Sequence, residues 1–145
     1  MKNVIITGTS SGLGFELVKK FNAENYNIIS LSRSTCLIKS NLVEHFNFDI
    51  TNSKSISELK KLIRLKYKTI DILINNAGML INKPFVELSK EEFVSVYDVN
   101  FFGVIELIRE IFPLLKSKSQ IINISSIGGI NGTNKFKGLS AYSSS

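Results

Sequence analysis

Short apolar runs alternate with longer amphipathic stretches along this chain of 145 residues. Runs of about five residues rich in valine, isoleucine and leucine, closed by glycine or asparagine, are typical of buried strands. We therefore predict five strands, at residues 3–7, 27–31, 44–48, 71–75 and 120–124. The third of these has the weakest pattern.

Between these runs, apolar residues recur at spacings of three and four, which places them on one face of a helix. The first predicted helix covers about residues 12–23. A second follows the third strand, where Ser55 and Glu58 have the spacing of a capping box. A third, longer helix opens at Ser89 with Glu92 three residues on, and proline follows near its end. The apolar stripes are Leu13, Leu17, Val18 and Phe21 in the first helix, Ile56, Leu59, Leu62 and Ile63 in the second, and Phe93, Tyr97, Val104, Leu107, Ile108 and Ile111 in the third.

This order of elements predicts an α/β domain. Strands that alternate with helices form βαβ units, whose right-handed crossovers produce a parallel sheet with helices on both faces. A hydrophobic content of 43% in 145 residues is enough for one core, so we expect a single domain over residues 1–145. No internal repeat or linker divides the chain.

Composition and charge narrow the classes of partner. The net charge is +6, but lysine and arginine are scattered, so the charge alone does not predict nucleic-acid binding. Cys36 is the only cysteine and His45 the only histidine, so we assign no internal disulfide, no metal and no role to His45. The start of the chain has neither a long apolar segment nor a cleavage site, so we expect a cytoplasmic protein that is not inserted in a membrane.

The turn between the first strand and the first helix is a candidate binding site because it is rich in glycine. Glycines let the backbone approach a pyrophosphate, and the free N–H groups and positive dipole at a helix start favour an anion. The alternative is that a tight turn needs glycine for steric reasons alone. The position between strand and helix favours binding. The turn consists of Gly8, Thr9, Ser10, Ser11, Gly12, Leu13 and Gly14.

Two further polar positions are informative. Arg33 lies between Ser32 and Ser34 at the end of the second strand, where an acid would favour NAD and an arginine with hydroxyls suits the extra phosphate of NADP. The alternative is an arginine in a surface loop. Asn100 falls on the apolar stripe of the long helix, where an amide needs hydrogen-bond partners. Taken alone, it would be a buried asparagine satisfied by neighbouring backbone.

Four motifs occur in order along the chain: TGTSSGLG at 7–14, NNAG at 75–78, Asn100 with Gly103, and INISS at 122–126. Together they resemble the classical short-chain dehydrogenase/reductase family over essentially the whole chain. The resemblance implies a Rossmann-like, doubly wound, three-layered sheet with strand order 3-2-1-4-5 and NADP, rather than NAD, as cofactor. The implied cofactor-binding residues are Gly8 to Gly14 at the pyrophosphate, Arg33 at the extra phosphate, Asp49 and Ile50 at the adenine, and Asn76, Ala77 and Gly78 on the adenosine side.

The resemblance also implies a reaction, hydride transfer between a nicotinamide and the carbonyl or alcohol carbon of a small molecule. Tyr142 would exchange the proton beside the cofactor, Ser126 would bind the substrate oxygen, and Asn100 would hold a water. The family's Tyr-x-x-x-Lys motif would put its lysine at position 146. We therefore expect the chain to be the N-terminal part of such an enzyme and to be inactive by itself. Without the last strands of the family's sheet, the fifth strand would form an apolar edge. For the full-length form the family implies a homo-oligomer.

Tyr142 follows Ser126 by sixteen positions, a few more than is usual in the family, which predicts a lengthened loop between them. Three function classes stay open. The favoured class is an oxidoreductase, of which the chain is the N-terminal part. The second class is a non-catalytic dinucleotide-binding or interaction module. The third, a nucleic-acid binder, is suggested only by charge and lacks clustered aromatic and basic residues.

Overall fold

The computed structural model describes all residues from 1 to 145. Its strands are β1 Asn3–Thr7, β2 Asn27–Ser32, β3 Val43–Asn47, β4 Ile70–Asn75 and β5 Leu115–Asn123. Its helices are α1 Gly12–Ala23, α2 Ser53–Lys66, α3 Lys90–Tyr97, α4 Gly103–Ile111 and α5 Ser140–Ser144. The strands form one parallel sheet in the order β3-β2-β1-β4-β5, which confirms the predicted fold class and strand order. The strand order reverses between β1 and β4, and ligands of such sheets bind beside this point.

Side chains of β1 alternate between two cores because successive residues of a strand point to opposite faces of the sheet. Val4 and Ile6 pack with Val18 of α1 on one face. Ile5 packs with residues of α2 and α4, including Leu107, on the other face. All five residues of β1 are buried, so the sheet is the middle of three layers.

The start of α2 differs from the prediction. The side-chain oxygen of Asn52 accepts hydrogen bonds from the N–H groups of Lys54, at 3.0 Å, and Ser55, at 3.2 Å. Asn52 is therefore the cap, and the predicted capping box of Ser55 and Glu58 is wrong. Asparagine caps at least as well as serine, and here it lies three residues further upstream, so the helix has already begun at Ser55.

The long helix predicted from Ser89 is present and contains a wider turn that was not predicted. Its capping box is confirmed, since the Ser89 hydroxyl accepts from Glu92 N at 3.1 Å and the Glu92 carboxylate accepts from Ser89 N at 2.8 Å. The backbone then stays helical from Lys90 to Ile111, which confirms the long helix, but a π-helical turn, Asp98–Phe102, lies between α3 and α4. The wider turn carries Asn100. The apolar stripe continues on the other side of the π turn, so periodicity did not reveal it.

The fifth strand is longer than predicted, because β5 begins at Leu115 and pairs with β4 through a register shift between Ile70 and Ile72. β5 lies at the edge of the sheet, and Ile121 and Ile122 are 38% and 39% exposed, as expected for an apolar edge. The bounds of β2, β3 and β4 differ from the predicted ones by one residue. None of the helices combines the length and the apolar character that a membrane-spanning helix needs.

Candidate functional site

The glycine-rich turn joins β1 to α1 at the carboxyl end of the sheet. Gly12 has a φ of 56°, a region that L side chains rarely adopt, and a Cβ built there would meet nothing within 4 Å. A Cβ on Gly14 would instead lie 2.1 Å from the carbonyl oxygen of Gly8. Gly14 is thus required by the packing of the helix against its own turn, whereas Gly12 faces open space.

The first turn of α1 has no capping side chain. Ser11 at the N-cap position makes no side-chain hydrogen bond to the helix, and the first turn contains no acidic residue. By contrast, Asn52 caps α2 and Ser89 caps α3. The unbonded N–H groups and the positive end of the helix dipole therefore favour an anion at this position.

A cleft of about 470 Å³ lies beside this turn, over the carboxyl ends of β1, β2 and β4. Its volume is in the range of small-molecule sites. We call it the adenosine cleft after the interpretation of its residues. Nine of the predicted cofactor-binding residues line it: Gly8, Ser10, Ser11, Arg33, Asp49, Ile50, Asn76, Ala77 and Gly78.

Four predicted cofactor-binding residues of the turn lie elsewhere. Thr9 is fully buried beneath the turn, and Gly12 and Gly14 do not line the cleft. Leu13 does not line it either and is 53% exposed, so its predicted place on the buried stripe of α1 is wrong. Val18 belongs to the core beneath α1 and Leu17 and Phe21 pack against it, whereas Leu13, in the first turn, does not.

Arg33 and Asp49 give the adenosine cleft both charges. A carboxylate oxygen of Asp49 accepts from Thr51 N at 2.9 Å and from Thr51 Oγ1 at 2.8 Å. These hydrogen bonds, with a smaller contribution from the nearby Arg33 guanidinium, hold the pKa of Asp49 below its usual value. At neutral pH the cleft therefore offers a cation for a phosphate and a carboxylate that accepts hydrogen bonds.

The hydroxyl of Thr7 joins the turn after β4 to the end of β1. Thr7 Oγ1 accepts from the N–H groups of Asn76 and Ala77, both at 2.9 Å. Asn76 Nδ2 donates in return to the carbonyl oxygens of Thr7, at 3.0 Å, and Gly8, at 3.2 Å. Thr7 was assigned no role from the sequence, although it is the first residue of the TGTSSGLG motif at 7–14.

A second cleft, of about 570 Å³, lies on the other side of residues 76–78. Asn100, Ser126 and Tyr142 all line this cleft, which we call the catalytic cleft after the role predicted for these residues. The structure thus brings the three predicted catalytic residues together. The two clefts share Asn76, Ala77 and Gly78 and so form one continuous surface over the carboxyl ends of the strands. No lysine or arginine lines the catalytic cleft.

Asn100 anchors the segment that follows β4. Its Oδ1 accepts from Met79 N at 2.7 Å, and its Nδ2 donates to Met79 O at 3.0 Å and to Ser145 Oγ at 2.8 Å. The backbone of Met79 and the hydroxyl of Ser145 thus satisfy this partly buried amide, and the Met79 contacts agree with the interpretation of an asparagine held by neighbouring backbone. The role of Asn100 in holding a water stays a prediction.

Ser126 and Tyr142 approach the catalytic cleft from the two ends of the loop between β5 and α5. Ser126 Oγ accepts from Gly128 N at 3.1 Å, which leaves its own hydroxyl hydrogen free to donate. Lys135 Nζ donates to the carbonyl oxygens of Gly128 and Ile130, both at 2.6 Å, and so ties the loop to itself. No group of three or more His, Cys, Asp or Glu side chains could hold a metal ion.

The family model described as short chain dehydrogenase matches residues 2–145. The chain belongs to this family. Among solved short-chain dehydrogenases, one from Leptospira borgpetersenii with bound NAD+ is 33% identical and superposes with a TM-score of 0.90. That match covers 99% of this chain and 59% of the Leptospira chain.

Curated short-chain dehydrogenase relatives include a 3-ketodihydrosphingosine reductase from Bacteroides thetaiotaomicron, 36% identical over 134 residues, or 89% of this chain and 48% of that protein. An NADPH-dependent 1-acyldihydroxyacetone phosphate reductase from Schizosaccharomyces pombe is 32% identical over 133 residues, or 87% of this chain and 45% of that protein. The chain thus spans about half the length of these curated relatives.

Proposed function

We propose that this chain is the dinucleotide-binding part of an NADP-preferring oxidoreductase that acts on a small carbonyl or alcohol substrate. The observation that carries the proposal is the meeting of the two clefts at residues 76–78. One cleft offers Arg33 and the other offers Ser126 and Tyr142, so a single extended ligand could contact both. We also propose that residues 1–145 form one domain.

The residues present fit a nicotinamide dinucleotide. The uncapped first turn of α1 and the open face of Gly12 suit a pyrophosphate that approaches the backbone. Arg33 and Asp49 line the cleft in which the adenosine end would lie. The bound cofactor would supply or accept a hydride, and all other roles fall to the chain itself.

The catalytic cleft contains hydroxyl groups that could exchange a proton with a substrate and hold its oxygen atom. The Tyr142 hydroxyl makes no hydrogen bond within the chain, so it is free to exchange a proton with the substrate oxygen. The free hydroxyl hydrogen of Ser126 would donate to the same oxygen and hold it in place. Asn100 would keep the segment after β4 in position and order a water near Tyr142.

The preference for NADP rests on Arg33. Its guanidinium can form a charge-assisted pair with a 2′-phosphate, for which NAD has no equivalent group. Calorimetric titration of NADPH and NADH into the wild type and Arg33→Ala should show NADPH affinity falling about 10- to 100-fold and NADH affinity changing little. Arg64→Ala, on the exposed last turn of α2, is the matched control and should change neither. Equal losses for both cofactors would contradict the role of Arg33.

We further propose that the 145 residues bind NADPH without measurable turnover, because no lysine or arginine lines the catalytic cleft beside Tyr142. Family-like oxidation of NADPH with a panel of ketones and aldehydes would refute this. The absence of a cation also favours the second candidate, a binding module without catalysis.

In any form of the protein that does turn over, Tyr142→Phe should abolish turnover and spare NADPH binding, and an active Tyr142→Phe variant would remove Tyr142 from the mechanism.

A further inference from the structure

A chain of buried hydroxyl groups lies beneath the glycine-rich turn and beside the adenosine cleft. Thr9 and Ser30 are fully buried and Ser32 is 7% exposed. Thr9 Oγ1 lies 2.7 Å from Ser30 Oγ and 3.0 Å from Ser32 Oγ. Ser30 Oγ lies 3.3 Å from His45 Nδ1 at one end, and Ser32 Oγ lies 2.7 Å from the carbonyl oxygen of Ser34 at the other.

Alternation along the strands explains why these groups meet. Ser30 and Ser32 follow Ile28 at spacings of two, so they lie on the same face of the sheet, the face that packs against α1. His45 is the register partner of Ser30 on the neighbouring strand β3. The glycine-rich turn brings Thr9 over the same face, where polar side chains replace the apolar core.

Counting hydrogens fixes the direction of these hydrogen bonds. A carbonyl oxygen can only accept, so Ser32 donates its single hydroxyl hydrogen to Ser34 O. Ser32 must then accept from Thr9, and Thr9 must accept from Ser30. Ser30 has no hydrogen left, so the hydrogen in its contact with the histidine must come from the ring. The four contacts can all be hydrogen bonds only if His45 Nδ1 carries a proton.

We propose that this directed relay, from His45 through Ser30, Thr9 and Ser32 to the Ser34 carbonyl, positions Arg33 for the 2′-phosphate of NADP. This proposal rests on the proposed function, because it takes NADP as the ligand, and it adds the residues that orient Arg33 toward that ligand. Its last acceptor is the residue next to Arg33, and Ser32 and Ser34 line the adenosine cleft with Arg33. Holding the Ser34 carbonyl toward Ser32 restricts the backbone on the carboxyl side of Arg33, which reduces the ordering needed when a phosphate binds. The four side chains of the relay are therefore positioning residues for cofactor choice.

The first test needs neither a variant nor a cofactor. His45 is the only histidine, so the ring nitrogens in a ¹⁵N-labelled sample are assigned without ambiguity. At about pH 8, above the ordinary histidine pKa of about 6.5, the neutral ring should be found with its proton on Nδ1. Ser30→Ala removes the hydroxyl acceptor and leaves only the backbone of Ser30 beside the ring, so the share of this tautomer should fall. A proton on Nε2 in the wild type would overturn the relay.

The second test measures cofactor choice. Thr9→Val keeps the branched shape but can neither accept from Ser30 nor donate to Ser32. Calorimetry should show NADPH affinity falling about tenfold, the effect of one hydrogen bond, with NADH affinity within about twofold. Thr9→Ser should restore the wild-type ratio, and Thr69→Val, at the opposite end of the sheet before β4, should not change it. Equal losses for both cofactors in Thr9→Val would overturn the role in selectivity.

The two tests separate failure of the relay from failure of the proposed function. A wild type that binds NADH as well as NADPH would refute both the NADP preference and the role of the relay in it. If the wild type prefers NADPH but carries the proton on Nε2, the proposed function stands and the relay does not. Should Thr9→Val not fold, Ser30→Ala supplies the same comparison of the two cofactors, with a smaller expected change because Thr9 can still donate to Ser32.

Discussion

Thr7→Val tests whether one buried hydroxyl holds the two halves of the sheet together at the site. The change replaces a hydroxyl by a methyl group of nearly equal size, so it creates no cavity. It leaves the N–H groups of Asn76 and Ala77 without the acceptor that lies 2.9 Å from each. An orphaned buried donor costs about 1–3 kcal/mol. Both residues are partly exposed, so we expect a combined loss at the low end, about 2–3 kcal/mol in the free energy of unfolding.

Urea unfolding followed by circular dichroism measures this loss as a lower midpoint at an unchanged slope. Thr7→Ser keeps the hydroxyl and removes only a methyl group, so it should retain most of the stability. The valine variant should also bind NADPH more weakly, because residues 76–78 line both clefts. A loss below about 0.5 kcal/mol for valine, or equal losses for valine and serine, would refute the reasoning about orphaned donors.

Three further outcomes are expected. Gly12→Val should abolish NADPH binding in calorimetry, because a side chain at a φ of 56° is strained and occupies the open face, and unchanged affinity would exclude this loop as the phosphate site. Gly103→Ala should lower the urea midpoint, because its Cβ would lie 2.6 Å from Ile50 O, and an unchanged midpoint would mean that α4 can shift. Burial lowers the pKa of His45 below its value in the unfolded chain, so the free energy of unfolding should be intact at neutral pH and decrease as the pH falls below about 6.5. A free energy of unfolding that stays constant between about pH 7.5 and 5.5, as in His45→Gln, would contradict this.

The predicted bounds of β1 agree with the structure to the residue, and α1 was predicted over about the residues that form it, because glycine lies at both ends of the turn between them. Alternating strands and helices were enough to predict the parallel sheet, and the motifs of the family gave its strand order. The predicted start of α2 was wrong because two residues suited to cap a helix, Asn52 and Ser55, lie three positions apart. Only the backbone conformation chooses between two such candidates.

Other features could not be read from local patterns. The π turn around Asn100 was invisible because the apolar stripe continues on its far side. The hydroxyl relay depends on register between β2 and β3 and on a turn that returns over both, so its members share no sequence signal. His45 was assigned no role because it is the only histidine, although its ring nitrogen lies 3.3 Å from Ser30 Oγ.

The uncapped start of α1 has a consequence for how the fold responds to its ligand. Amides in this first turn lack the side-chain acceptor that protects the same positions in α2 and α3, so they should exchange with solvent through the smallest local openings. An anion bound there would act as the missing cap, and its binding free energy would also be stabilisation of the helix. A cofactor that bound as proposed would therefore be in part a structural element, supplied from outside the polypeptide.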